Sequence, residues 1–223
     1  GMSDVRKPDA RETALEVLMQ VDSANAWSDG GLKRTIAKNK LDSRDAALAT
    51  RLCYGVIQNR MLLDHYLEQV VSGGLSRLQP AMLDILRLGA YQILLLDKIP
   101  DSAAVNEAVE QTKRYVNQKA AGMTNGALRA LSRKKGSLNE PRDLATKYSH
   151  PQALVELLMQ SVGENQIEPF LRADNEPAPT CLQINPLLSN PDEVERALTE
   201  QEILFRKHPW LPGCYLVTGT GNL

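Results

Sequence analysis

No apolar run in this 223-residue chain approaches the ~18–20 residues needed to span a bilayer. The N-terminus, Gly-Met-Ser-Asp-Val-Arg-Lys-Pro-Asp, is polar and carries no signal-peptide core, and Gly1 before Met2 reads as a scar of tag removal. A cytoplasmic protein with no membrane partner is expected. Cysteine is scarce: Cys53, Cys181 and Cys214 are odd in number, far apart and form no CxxC pair. They read as reduced thiols, each a buried small hydrophobe, and not as disulfides or zinc ligands. His65, His150 and His208 have no metal-like spacing with Cys, Asp or Glu, so structural positions at helix edges and junctions are expected. A P-loop and a GxGxxG turn are both missing. Gly219-Thr220-Gly221 follows an apolar segment, but neither a helix nor an acidic partner comes after it, so a plain loop is the simpler reading. Aromatic residues make up only 4 %, too few for a sheet of base-stacking rings.

Hydrophobic content of 43 % and charged content of 24 % fit a soluble globular chain long enough for two domains. Net charge is −1, but the signs are segregated. Residues 1–140 carry 20 Lys and Arg against 16 Asp and Glu, and residues 141–223 carry 6 against 11. Such a reversal points to two units with different jobs.

The most apolar segment is Pro80 to Leu96, which is apolar on almost every side. It is expected to be the buried central helix of a bundle, with proline in its first turn. Asp9 is placed to cap the first helix, with Glu12 reaching back to complete a capping box, and Ala14, Leu15, Leu18 and Val21 face inward. A loop is expected around Asn25 to Gly31, then a short helix over Leu32, Thr35 and Ile36. Asp42-Ser43 caps a helix with an apolar face of Leu48, Leu52, Cys53, Val56 and Ile57, and Leu63, Leu67 and Val70 continue the pattern. Gly55 and Gly89 lie inside helical patterns at a cost of about 1 kcal/mol each relative to Ala, which close helix approach would offset. Ile99-Pro100-Asp101-Ser102 reads as a capping turn before a helix over 102–115, and a last helix spans about 122–134. Asn106 and Asn125 lie beside apolar stripes and are expected to be buried hydrogen-bonding residues.

After Pro141 short helices are expected over 143–148, from Pro151 to Val162, and over 164–173, followed by a loop over 174–179. Thr180 to Asn185 reads as a strand. Asn190-Pro191-Asp192-Glu193 opens a helix that buries Val194, Leu198 and Ile203, and Cys214 to Thr218 reads as a second strand. That strand–helix–strand unit is an unfinished sheet, so the C-terminus is expected to be a boundary within a longer protein. The fold class is therefore mainly α: an all-α helical bundle over 3–140, a helical linker over 141–176, and the start of a small α+β unit over 177–223.

Between Gln111 and Asn139 there are seven cations and no acid: Lys113, Arg114, Lys119, Arg129, Arg133, Lys134 and Lys135. Arg129 and Arg133 share a helix face, where like charges repel by a few tenths of a kcal/mol. A polyanion would turn that repulsion into attraction through counterion release. The alternative is a solvated helix end whose cations favour the C-terminal dipole. Arg6, Lys7 and Arg11 form a second, weaker patch.

Three stretches carry a resemblance: Leu86-Arg87-Leu88-Gly89-Ala90-Tyr91-Gln92, Ile99 through Val109 (IPDSAAVNEAV), and Asn125-Gly126-Ala127-Leu128-Arg129. They resemble the NusB-like RNA-binding domain, in the version fused to small-subunit ribosomal RNA cytosine carbon-5 methyltransferases of the RsmB/Sun type. Tyr54-Gly55-Val56-Ile57 and Leu63-Asp64 fit the same pattern. Tyr148-Ser149-His150-Pro151 and Cys181-Leu182-Gln183-Ile184-Asn185-Pro186 look like that family's linker and the start of its methyltransferase module. Gln58 and Gln183 stand where the family usually has Arg.

The resemblance implies an RNA-binding N-terminal portion of an enzyme that uses S-adenosylmethionine on 16S ribosomal RNA. Its partners would be small-subunit ribosomal RNA and its own C-terminal methyltransferase domain. The family's two catalytic cysteines, one of them after a proline, have no counterpart, since the chain contains no Pro-Cys. The fragment alone is then expected to lack cofactor, metal and catalytic residues. Two other classes fit the bundle: a non-enzymatic NusB-type transcription antitermination factor, and a protein-interaction scaffold with a merely solvated basic run.

Overall fold

The computed structural model describes residues 6–24, 29–173, 180–185, 187 and 189–220. In the first unit, Gly1–Glu140, the described helices are α1 (Ala10–Ala24), α2 (Asp29–Lys38), α3 (Ser43–Gln58), α4 (Arg60–Glu68), α5 (Pro80–Leu95), α6 (Asp101–Tyr115) and α7 (Ala121–Arg133). The second unit, Pro141–Leu223, holds α8 (Leu144–Lys147), α9 (Gln152–Val162), α10 (Glu164–Ala173), β1 (Thr180–Gln183), α11 (Pro191–Glu200), β2 (Ile203–Lys207) and β3 (Cys214–Thr220).

Helix α5 is the centre of the bundle. Met82 and every residue from Asp84 to Ile93 are buried, and α1, α3, α4, α6 and α7 all pack on it. The two in-helix glycines permit two of those contacts. A Cβ on Gly55 would fall 1.9 Å from Cζ of Tyr91, and one on Gly89 would fall 2.6 Å from Cδ1 of Leu128. The side-chain volume given up at each position is occupied by the neighbouring helix.

Several helix starts follow the sequence reading. The Asp9 carboxylate accepts from the Glu12 amide at 2.9 Å, Asp42 from Asp45 at 2.8 Å, and Asn190 from Asp192 at 2.9 Å. Others do not. Glu12 completes no capping box, because its carboxylate is drawn to Arg114 and Tyr115 on α6. Asp101 is the first residue of α6 instead of its cap, and it accepts from Ser132 Oγ at 2.6 Å. Helix α2 begins at Asp29, so Gly30 and Gly31 are helical where a loop was expected; the rest of that loop, residues 25–28, lies outside the described residues, as does the loop over 174–179.

The second unit has its own core, in which Leu158, Phe170 and Leu171 of the helices meet Leu182, Tyr215 and Val217 of the strands. Its sheet is antiparallel with order β1-β3-β2. The extra strand, β2, takes Ile203 out of the helix where it was expected, and Glu202 makes the break at a left-handed φ of 58°. Gly219 and Thr220 are also strand residues, paired with Leu204 and Ile203, and not loop.

Two of the three cysteines depart from expectation. Cys181 and Cys214, on adjacent strands, are joined as a disulfide, and Cys181 is exposed. Cys214 is buried as expected but not reduced; Cys53 fits the reading as a free, buried thiol, and burial pushes its pKa up to about 12. Among the described residues no helix is long and apolar enough to cross a membrane.

Candidate nucleic-acid interface

The basic run free of acid in sequence is not free of acid in space. Lys113 pairs with Glu110 at 3.0 Å and Lys135 with Asp101 at 3.1 Å, while Arg114 donates to Glu12 on α1. Glu12 is buried and also accepts from Tyr115 Oη at 2.5 Å. The Glu12 bond and nearby charge hold the Arg114 guanidinium above its ordinary range, against a smaller loss from burial. Burial, and then Glu12, push the Tyr115 hydroxyl up. These three cations are engaged with the bundle itself.

Four others have no ion pair among the described residues: Lys119, Arg129, Arg133 and Lys134, and all four are exposed. Arg129 and Arg133 stand one turn apart on α7 and flank a cleft of about 280 Å³ against α6. The α6 wall supplies Asp101, Ser102, Val105 and Asn106, and Ser132 of α7 also lines the cleft. Asn106 is exposed there, which corrects its assignment as a buried residue: it sits on the solvent side of the stripe formed by Ala104, Val105 and Ala108. Asn125 is half-buried. Two guanidinium groups and an amide around one cleft are donors suited to phosphate oxygens, and the one acid in the lining, Asp101, is already engaged by Ser132 and Lys135. Asn106 was missed because periodicity marks which face a helix buries and is least informative at that face's margin.

The N-terminal patch is tied inward. Arg6 lies 3.5 Å from Asp9 and 3.9 Å from Glu107. Lys7 Nζ donates to the Lys40 carbonyl at 2.9 Å, and Arg11 Nε donates to Gln92 Oε1 at 2.7 Å. Burial and Asp9 together raise the Glu107 carboxyl, with Arg6 and Arg11 opposing. Of the two positions that depart from the resemblance, Gln58 is half-buried beside Arg51, Tyr54 and Tyr91, and Gln183 is exposed on β1.

The histidines have structural surroundings: His65 Nε2 is 2.8 Å from the Asn139 carbonyl, and His150 is buried where α8 leads into α9. Among the described residues no three His, Cys, Asp or Glu side chains cluster as metal ligands. Gly219 and Thr220 are paired into β3 with Leu204 and Ile203, so this stretch is strand where a plain loop was expected.

The NusB family model matches residues 8–133, which is more than half of the chain. The chain belongs to the NusB family. Residues 150–222, beyond the NusB-family bundle, match a second model, the ferredoxin-like domain of Methyltr_RsmF/B-like proteins. A Bacillus subtilis (strain 168) protein described as a probable ribosomal RNA small subunit methyltransferase B is 33 % identical over 208 residues, 91 % of this chain and 46 % of its own length. The chain thus spans about half the length of the curated relatives it matches. Among solved structures, PH0851 superposes with a TM-score of 0.62 at 17 % identity, covering 96 % of this chain and 49 % of that one. A complex of the antitermination factors NusB and NusE with double-stranded RNA matches at 0.51 and 23 % identity, over 56 % of this chain and 93 % of that one. Both similarities establish the fold.

Proposed function

We propose that this chain is the RNA-binding N-terminal portion of an S-adenosylmethionine-dependent small-subunit ribosomal RNA cytosine carbon-5 methyltransferase. The NusB-family bundle docks ribosomal RNA, and the second unit leads to the catalytic domain. Holding the substrate on a separate module raises the effective concentration of the target base at the active site. The observation that carries the reading is the set of exposed cations without an ion pair among the described residues, Lys119, Arg129, Arg133 and Lys134, of which Arg129 and Arg133 line the α6–α7 cleft. Cations left exposed without partners are the ones from which phosphate contact draws most. Arg6, Lys7, Arg11, Lys113, Arg114 and Lys135 add to the positive field around them, although each already has a partner in the bundle. In this reading the methyl donor and the nucleophilic cysteine belong to the catalytic domain, and this chain alone transfers no methyl group.

The match to the methyltransferase relative runs through both units, which favours this reading over a free antitermination factor, whose match ends with the bundle. The test is RNA affinity measured across salt concentrations. Replacing Arg129 and Arg133 together by Ala is expected to weaken binding and to lower the salt slope by up to about two. An unchanged slope would remove the interface from α7.

A further inference from the structure

The second unit is acidic overall, yet it contains no Asp or Glu after Glu202. That acid-free segment forms the β2–β3 hairpin and carries Arg206, Lys207 and His208. At its tip Trp210 is 82 % exposed, although it is the largest apolar side chain in the segment. A fold that needed this ring for stability would bury it.

The tip is held in shape. The amides of Trp210 and Leu211 both donate to His208 Nδ1 at 3.2 Å. The His208 amide donates to the Cys214 carbonyl at 2.8 Å, and the Cys214 amide donates back to Leu211 at 3.2 Å. Pro209 and Pro212 restrict the backbone on either side of the exposed ring. The His208 ring meets the indole edge-on, with centroids 5.4 Å apart, so the contact is with an edge and not a stacked face. Arg206 is exposed, and Lys207 is 74 % exposed although it lies 3.4 Å from Glu195.

From this geometry we propose that the β2–β3 hairpin tip stacks an unpaired base of an RNA strand on Trp210, with Arg206 and Lys207 meeting the adjoining phosphates. The proposal rests on the reading of this chain as an RNA-binding protein and adds a second contact point, in the other unit. RNA is favoured as occupant because it offers what this tip lacks, negative charge beside a flat π-face. An apolar protein partner would match Trp210 and Leu211 but leave the Arg206 guanidinium unanswered.

The experiment measures binding of the whole chain to a short single-stranded oligouridylate and to a blunt RNA duplex, with wild type, Trp210→Ala, Trp210→Phe and Arg129→Ala/Arg133→Ala. Trp210→Ala is expected to weaken single-strand binding by about fivefold to a hundredfold, with the salt slope unchanged, because stacking releases no counterions. Trp210→Phe should retain most of the affinity. Duplex binding should be little affected by either change, since only the outer faces of its two end pairs are free. In a Trp27→Phe background the remaining indole emission should be quenched by the single strand. Full single-strand affinity in Trp210→Ala, or equal losses on both RNAs, would overturn the stacking proposal and leave the α7 interface standing. A change in self-association with no change in RNA affinity would identify a protein contact instead and overturn it too. No RNA binding by the wild-type chain would overturn both readings.

Discussion

The Tyr91 ring stands where a side chain on Gly55 would begin: its Cζ is 1.9 Å from the position of the missing Cβ. Tyr91 is 8 % exposed and lies on the buried helix α5, lining an open cleft with Gly55, so the ring must leave its packed position toward that cleft to make room. Gly55→Ala gains about 1 kcal/mol of helix propensity and loses more through overpacking, about 1–3 kcal/mol. The expected result is net destabilisation in urea titrations. A second substitution, Tyr91→Leu, should recover part of the loss, because the two residues share one volume and their effects should not add. Equal stability of Gly55→Ala and wild type would contradict the packing.

The cations of the basic run should separate into two groups. Arg114→Ala leaves buried Glu12 with Tyr115 as its remaining partner and is expected to cost about 1–3 kcal/mol of stability. Lys134→Ala, on an exposed residue with no ion pair among those described, should leave stability within about 0.5 kcal/mol. Thermal unfolding of the two variants checks the contrast. A fall in stability for Lys134→Ala, with none for Arg114→Ala, would reverse the assignment of structural and surface roles.

Where the sequence was legible, the signal was local. The continuous apolarity of Pro80 to Leu95 marked the central helix, and Asp9, Asp42 and Asn190 marked helix starts, because caps and burial periodicity act within a few residues. What was hidden depends on chain reversal. Glu12 and Arg114 are 102 residues apart, so the acid that occupies part of the basic run is invisible to a linear count. Cys181 and Cys214 read as separate thiols, and only the β1–β3 register brings them together. Strand β2 was absorbed into the preceding helix because Ile203 extends the apolar series of Val194 and Leu198, and the left-handed turn at Glu202 has no strong residue signature.

Asp84 gives the bundle a pH dependence. Burial, reinforced by Asp22, pushes its carboxyl up to about 8, against the opposing charges of Arg87 and Arg60. Arg87 lies 3.6 Å away, but its fork is committed to Asp64 at 2.7 and 2.9 Å. An unfolded aspartate releases its proton near 4. The folded bundle therefore holds a proton that the unfolded chain has lost, and its stability declines as pH rises from about 4 to about 8. Asp84→Asn keeps a neutral side chain at every pH and should flatten that slope. Urea midpoints collected across the window decide it, and an unchanged slope in the variant would place the titration elsewhere.

The second unit should respond to acid in the opposite sense. Burial pushes His150 down to about 4, with a smaller opposing contribution from a hydrogen bond to the Leu171 backbone. An unfolded histidine takes up its proton near 6.5. Stability from this residue is present above about 6.5 and is lost as pH falls through the window to about 4. Over that same window the protonated Asp84 favours the folded bundle. Hydrogen exchange reads the two units separately, because the amides of α5 and of α9 belong to different cores. Corrected for intrinsic exchange rates, protection in α9 is expected to fall between pH of about 6.5 and 4 while protection in α5 rises. His150→Gln should abolish the change in α9 and leave α5 untouched. Parallel losses in both helices would mean that acid acts through groups other than these two.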